Sequence, residues 1–434
     1  MTTSHRLSRR ALLRATAAAG GAALLSSCAR GSGSAVDLAY WNFFTGSDGE
    51  LMVGLVDRFR AEAPDVRVTD TTLMWGPPYY TKLAMACAGG RAPDLATLHA
   101  SRLPTFGSDL LDEWDPAELA ARGVSMDEFP APVRERVTVD GRVMALPLDT
   151  HPLVLYYNTD ICERAGLLAP DGSLAPIRGV EQWLDAGRRA AEVTGSIGIA
   201  FGAADNLASW MLFWSLFRQA GGEMRLPDGG PAEVDRDAMV QAMALMHDMC
   251  DGTISSPTLE GDASPAAFAS QQAGFLLIGP WEVTTARTAE IPFSMTQFPA
   301  LLGDTPYVRA DSHSFVLPSQ AHVDPAARSA AYDMAVSMLR NSLDWASGGG
   351  HIPALSAVAE SPEYLSQQPI ANYRGAAQVV EFDPEAYFSG SGSTLMSRAG
   401  QSLQGVNSGA LTPEQGADDL IGWLDSQLTF GSPL

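Results

Sequence analysis

The chain has 434 residues, 46% hydrophobic and 18% charged, with a net charge of −22 at neutral pH. A length beyond roughly 250–300 residues exceeds what one core sustains, so two lobes are expected. The acidity argues against nucleic acid or an anionic membrane face as a partner, and the four cysteines match no metal or redox spacing.

The N-terminus addresses the chain. Ser8-Arg9-Arg10-Ala11-Leu12-Leu13-Arg14 resembles the twin-arginine export signal. After an Ala/Gly/Leu run from Ala15 to Leu25, Leu25-Ser26-Ser27-Cys28 resembles a bacterial lipoprotein cleavage site, Ser27 standing where Gly or Ala is commoner. The run is too short for a transmembrane helix, which needs about 20 residues. Residues 1–27 are therefore expected to be a signal peptide and Cys28 the lipidated first residue of the mature chain. Residues 28–36, with Gly31-Ser32-Gly33-Ser34, read as a flexible tether. A plain secretory signal and an uncleaved anchor are the alternatives; each leaves the folded part outside the cytoplasm, on the outer face of the cell membrane if lipid-anchored. Cys87, Cys162 and Cys250 then allow at most one disulfide, and apolar packing is expected of each.

Val36 to Trp41 reads as a strand, followed by a helix from Gly49 to Ala63 with Leu51, Leu55, Val56 and Phe59 on one face and Pro64 as its stop. A strand at Val66–Leu73, a helix at Tyr79–Ala88 and a strand at Asp94–Leu98 follow, an alternation that predicts a parallel α/β sheet. A hairpin turn at Asp140-Gly141 leads into a strand at Val143–Leu148, and Leu153–Asn158 reads as a buried strand in which Tyr156 and Tyr157 are core. Trp210 and Trp214 sit at i, i+4 on a helix, so one of them is expected in the core. Apolar runs continue to Ile278 and restart at Phe315-Val316-Leu317.

Blocks spread over the mature chain carry a resemblance: Ala39-Tyr40-Trp41-Asn42-Phe43-Phe44-Thr45-Gly46; Tyr80-Thr81-Lys82-Leu83 with Gly89-Gly90-Arg91-Ala92-Pro93-Asp94; Asp140-Gly141-Arg142 to Pro147; Leu155 to Asp160 with Ala165-Gly166-Leu167; Gly274-Phe275 to Gly279-Pro280-Trp281; and Gly349-Gly350-His351-Ile352-Pro353. Leu411-Thr412-Pro413-Glu414-Gln415 opens an amphipathic C-terminal helix. In this order the blocks resemble the extracellular solute-binding proteins of ABC importers, the sugar-binding lipoproteins to which maltose-binding protein belongs. The resemblance implies a two-lobed α/β fold with a hinge and a ligand cleft that closes on binding. It implies an N-terminal lobe of residues 37–148 plus 298–343 and a C-terminal lobe of 149–297 plus 344–434, with crossings near 148–150, 297–299 and 343. It further implies a carbohydrate ligand, partner ABC permease subunits with a separate ATPase, and a monomer. No cofactor or metal is expected.

Sugars offer apolar C–H faces and a rim of hydroxyls, so aromatic platforms beside polar groups at strand ends are the candidates. These are Trp41, Asn42 and Phe43; Trp75 and Tyr79; Asp149; Trp210; Trp281; His313; and Gly350 with His351. The histidines are expected in loops, where neighbouring small residues let a ligand approach closely. The rival ligand is anionic, such as a glycerol phosphodiester, and Arg309, expected in a loop, would serve it. Tyr79-Tyr80 hints weakly at ferric ion. A glycan-degrading enzyme is the alternative of another class, but no zinc helix or nucleophile elbow is present, and the seven histidines show no ligand spacing along the sequence.

Overall fold

The computed structural model describes residues 35–430. The leader, Cys28 and the Gly31–Ser34 tether lie outside the described residues. The early elements follow from the pattern. The strand Val36–Asn42 gives way to a helix at Gly46–Glu62, three residues earlier than expected, which buries Met52, Leu55, Val56 and Phe59. Each such side chain contributes about 1.5–3 kcal/mol by leaving water. The helix ends at Ala63, whose N–H reaches Phe59 O, because Pro64 disfavours helical geometry in the residue before it. The next helix, Pro77–Ala88, starts on Gly76 at φ +91° and carries two prolines in its first turn, where no backbone donor is needed.

Two hydrophobic cores organise the chain. The first surrounds a sheet in the order Val66–Thr72, Val36–Asn42, Leu95–His99, His313–Pro318, Leu111–Asp112, with Leu146–Pro147 also paired to His313–Pro318. Its first three strands are parallel, as the alternation predicts, and the His313 strand runs antiparallel to Leu95–His99. The second core packs on the sheet Ile199–Ala200, Phe275–Ile278, Val154–Asn158, Phe293–Gln297. Helix Asn206–Gln219 is buried nearly all round, so both Trp210 and Trp214 are core, not one of them. The strand expected at Val143–Leu148 is broken: Arg142–Val143 closes a hairpin with Thr138–Val139, while Leu146–Pro147 joins the main sheet.

A third, small sheet stands between the cores: Ile352–Pro353, Asp149–Pro152, Val308–Asp311, Val380–Glu381. Leu148 belongs to the first core and Leu153 to the second, so the chain changes core across Asp149–Pro152. The return falls between Ala310 and Phe315 rather than at 297–299, because the apolar Leu301, Val308 and Ala310 remain in the second core. The third change is gradual: Trp345, Ala354 and Leu355 pack in the first core and Ala346 and Ile352 in the second, and the buried residues from Tyr364 onward belong to the second. Three chain crossings hydrogen-bonded side by side are the connection a two-lobed hinge fold requires. Among the described residues no helix is long and apolar enough to cross a membrane, and Cys87, Cys162 and Cys250 are free thiols.

Candidate functional site: the cleft between the cores

A cavity of about 460 Å³ opens where the lobes face each other. Phe43, Phe44, Asp48, Trp75 and His99 line it from first-core elements, and Leu207, Asp262 and Trp281 from the other side. The first-core groups sit just beyond the carboxyl ends of parallel strands, where open α/β sheets receive ligands. Asn42 fixes that corner: buried, its Oδ1 accepts the Phe44 N–H at 3.1 Å and turns the two phenylalanines inward. Phe43 stacks on His99 with ring centroids 4.8 Å apart and 13° between planes. On the opposite wall Trp281 remains partly exposed, its ring lying over Gly279, where any Cβ would stand 1.9 Å from the indole. Trp75 is 40% exposed on the rim.

The floor is formed by the crossing sheet. Asp149, wholly buried, accepts at Oδ1 from His151 Nδ1 and the His313 backbone N–H, both at 3.0 Å. Its Oδ2 accepts from His313 Nδ1 and Trp345 Nε1, both at 2.7 Å. Burial alone would raise the Asp149 pKa, but the imidazoles of His313, His151 and His351 hold it well below the usual carboxylate range. His151 stacks on His313 at 4.2 Å and is pushed down to about 3, first by burial and then by the neighbouring imidazole, so it is neutral at physiological pH. His99, 2.7 Å from Tyr80 Oη through Nδ1, is lowered for the same reasons. His351 goes the other way: burial acts downward, yet Asp48 and Asp149 outweigh it and raise its pKa.

The structure thus brings Phe43, Trp75, Trp281 and His313 to one cleft, with Asp149 and His351 wholly buried beneath its floor. It places others elsewhere. Trp41 lines a separate groove with Pro77, Pro78 and Met85, and Asn42 supports the corner from beneath. Tyr79 is fully buried with its hydroxyl donating to Thr97 O, and Tyr80 is buried too, so the tyrosine pair is core rather than a metal clamp. Trp210 is buried and donates to Asp383 Oδ1 at 2.8 Å. Gly350, at φ +75°, caps the Ser342–Gly349 helix and lies against Pro280 O, so its freedom serves chain packing and not the approach of a ligand. His313 begins a strand and is not in a loop. Arg309 is also on a strand, buried and paired with Asp383 at 2.8 Å and Asp311 at 3.4 Å. Its charge is spent within the protein.

Histidines that show no ligand spacing along the sequence come together in space. His99, His151, His313 and His351 converge although they come from four separate stretches of the chain, because the crossing sheet draws distant segments together. Sequence reasoning missed His99, His151, Asp48, Asp262 and Trp345. Two of these had a local signal: His99 directly follows the third strand, and His151 stands two residues from Asp149, on the same face of an extended segment.

Two lobes joined by a crossing sheet, with aromatic walls and a polar floor, define a hinged binding protein. Residues 54–371 match the model of the bacterial extracellular solute-binding protein family, and the chain belongs to that family. It is 24% identical over 223 residues to an arabinooligosaccharide-binding protein of Halalkalibacterium halodurans, a match spanning 50% of this chain and 46% of that protein, about half the length of each. Among solved structures, maltose-bound MalE3 of T. maritima is similar with a TM-score of 0.76 at 18% identity, over 91% of this chain and 100% of that one. The GacH receptor of Streptomyces glaucescens, solved unliganded and with acarbose, gives 0.74 at 18% identity over 92% of this chain and 100% of its own. These likenesses carry the two-lobed fold.

Proposed function

We propose that the protein is the extracytoplasmic binding component of an ABC importer, taking a mono- or oligosaccharide between its lobes and passing it to permease subunits driven by a separate ATPase. The observation that carries this is the pairing of partly exposed Trp75 and Trp281 with Asp48, Asp262 and the imidazole floor in a cavity of about 460 Å³. Flat rings suit the apolar faces of pyranoses, carboxylates and imidazoles suit their hydroxyls, and the volume falls in the small-ligand range of about 300–1,000 Å³. The arabinooligosaccharide-, maltose- and acarbose-binding relatives support the same ligand class. An anionic ligand finds less here, since Arg309 is already neutralised by two carboxylates. The relatives are binding proteins, and no turnover of the ligand is expected. Anchoring through Cys28 rests on the Leu25–Cys28 cleavage pattern; Cys28→Ser should move the protein from the membrane fraction to the soluble one.

The test is thermal shift against arabino- and malto-oligosaccharides, glycerol phosphates and monosaccharides. A ligand at 100 times its Kd stabilises the folded state by about 2.7 kcal/mol. A shift with one sugar series, with the sugar recovered intact, supports the reading. Shifts confined to phosphorylated compounds, or sugar hydrolysis, would overturn it.

A further inference from the structure

We propose that Asp149, His151, His313 and His351 form a site for a divalent transition-metal ion of the zinc type at the floor of the cleft. Each offers one ligand atom, and these atoms all lie within 4.8 Å of one another. All four residues are buried, and three of the four donors are imidazoles, a set that suits zinc, nickel or cobalt rather than calcium or magnesium.

The sign of a cation comes from His351. Its Nε2 lies 3.2 Å from Asp48 Oδ2 and donates to it. Its Nδ1 is buried without a hydrogen-bond partner and faces Asp149 Oδ2 across 3.8 Å. That is too long for a hydrogen bond. With the ring proton on Nε2, a nitrogen lone pair and a carboxylate oxygen confront each other, an arrangement relieved either by a second ring proton or by a metal ion held between them. Metal–nitrogen and metal–oxygen bonds of about 2.0–2.2 Å span the gap on one ion, at an angle of roughly 130°. An inward shift of roughly 0.4 Å would bring the pair to tetrahedral spacing.

His151 and His313 now donate Nδ1–H to the same carboxylate. On metal binding those protons leave Nδ1, the rings adopt the tautomer protonated at Nε2, and each ring moves outward by roughly half an ångström to become a neighbouring ligand. The supporting contacts are in place: Trp345 Nε1 holds Asp149, and Asp48 orients His351 in the carboxylate–imidazole–metal order common around bound zinc. Because His151 and His313 also line the cavity, the ion is reached from the cleft.

The proposal does not rest on the sugar reading, and its test uses no sugar. The full chain, purified without a histidine tag and stripped with a chelator, is titrated with Co²⁺ and followed by visible absorption, then with Zn²⁺ as competitor. Expected are one equivalent of bound cobalt with the intense spectrum of a four- or five-coordinate site, displaced by zinc. His313→Ala should weaken binding by about 10–100-fold or more, whereas His322→Ala, at an exposed position outside the cluster, should leave it unchanged. Should His313→Ala fail to fold, as judged by circular dichroism, His351→Gln replaces it, with the same loss expected. Absence of a low-coordinate cobalt spectrum in the wild type, or an unaltered spectrum in a folded cluster variant, overturns the proposal.

Discussion

Asp149 shows how much one side chain can be asked to hold. It takes four hydrogen bonds from three elements at a point where the chain changes core. Asp149→Ala would strand the Trp345 indole and two imidazoles without acceptors, and a loss of about 3–5 kcal/mol is expected in urea unfolding. Trp281→Ala should cost less stability than that, since the ring is partly exposed, while weakening sugar binding by roughly tenfold or more in calorimetry, about 1.4 kcal/mol. Equal affinity in that variant would remove Trp281 from the binding surface. The sequence made Asp149, Trp281, His313 and His351 visible through strand ends and resemblance blocks. It concealed His99 and His151, whose meaning depends on partners far away in the chain. It also made Tyr79 and Trp210 attractive, because an aromatic side chain reads alike whether its polar tip meets a ligand or, as here, Thr97 O and Asp383.

Elements with one clear period were legible, and those governed by tertiary pairing were not. The first five strands and helices fall within a few residues of their expected bounds because burial there follows simple alternation. The broken strand at 142–147 and the return crossing at 311–314 depend on which sheet a short run joins. Arg309 illustrates the cost of misjudging an element: on the strand Val308–Asp311 it is locked to Asp383. Burial pushes the Asp383 carboxyl up, but Arg309 and the Trp210 indole outweigh it and leave it below the ordinary range. A lowered carboxylate stabilises the fold above its unfolded pKa of about 3.9, and that contribution is lost as pH falls through the folded value. Asp383→Asn should therefore be less stable than wild type by a constant margin between about pH 5 and 8, a gap that narrows below about pH 4. A gap independent of pH down to 2.5 would assign the pair no such role.

At the scale of the whole molecule, lobes joined by three crossings should rotate as bodies, so a saturating sugar ought to lower the radius of gyration seen by small-angle scattering. An unchanged radius with a bound ligand would mean that the closed form is already the resting one. The same connectivity bears on biosynthesis. The strand Leu95–His99 gains its second neighbour only when His313–Pro318 emerges. At about 5–20 residues per second that is roughly 10–40 s later. Until then its edge is an open template for pairing with another chain. A nascent chain held short of residue 313 should thus depend on a chaperone at that edge, and a ribosome-stalled fragment ending near residue 300 should aggregate where the released full chain does not.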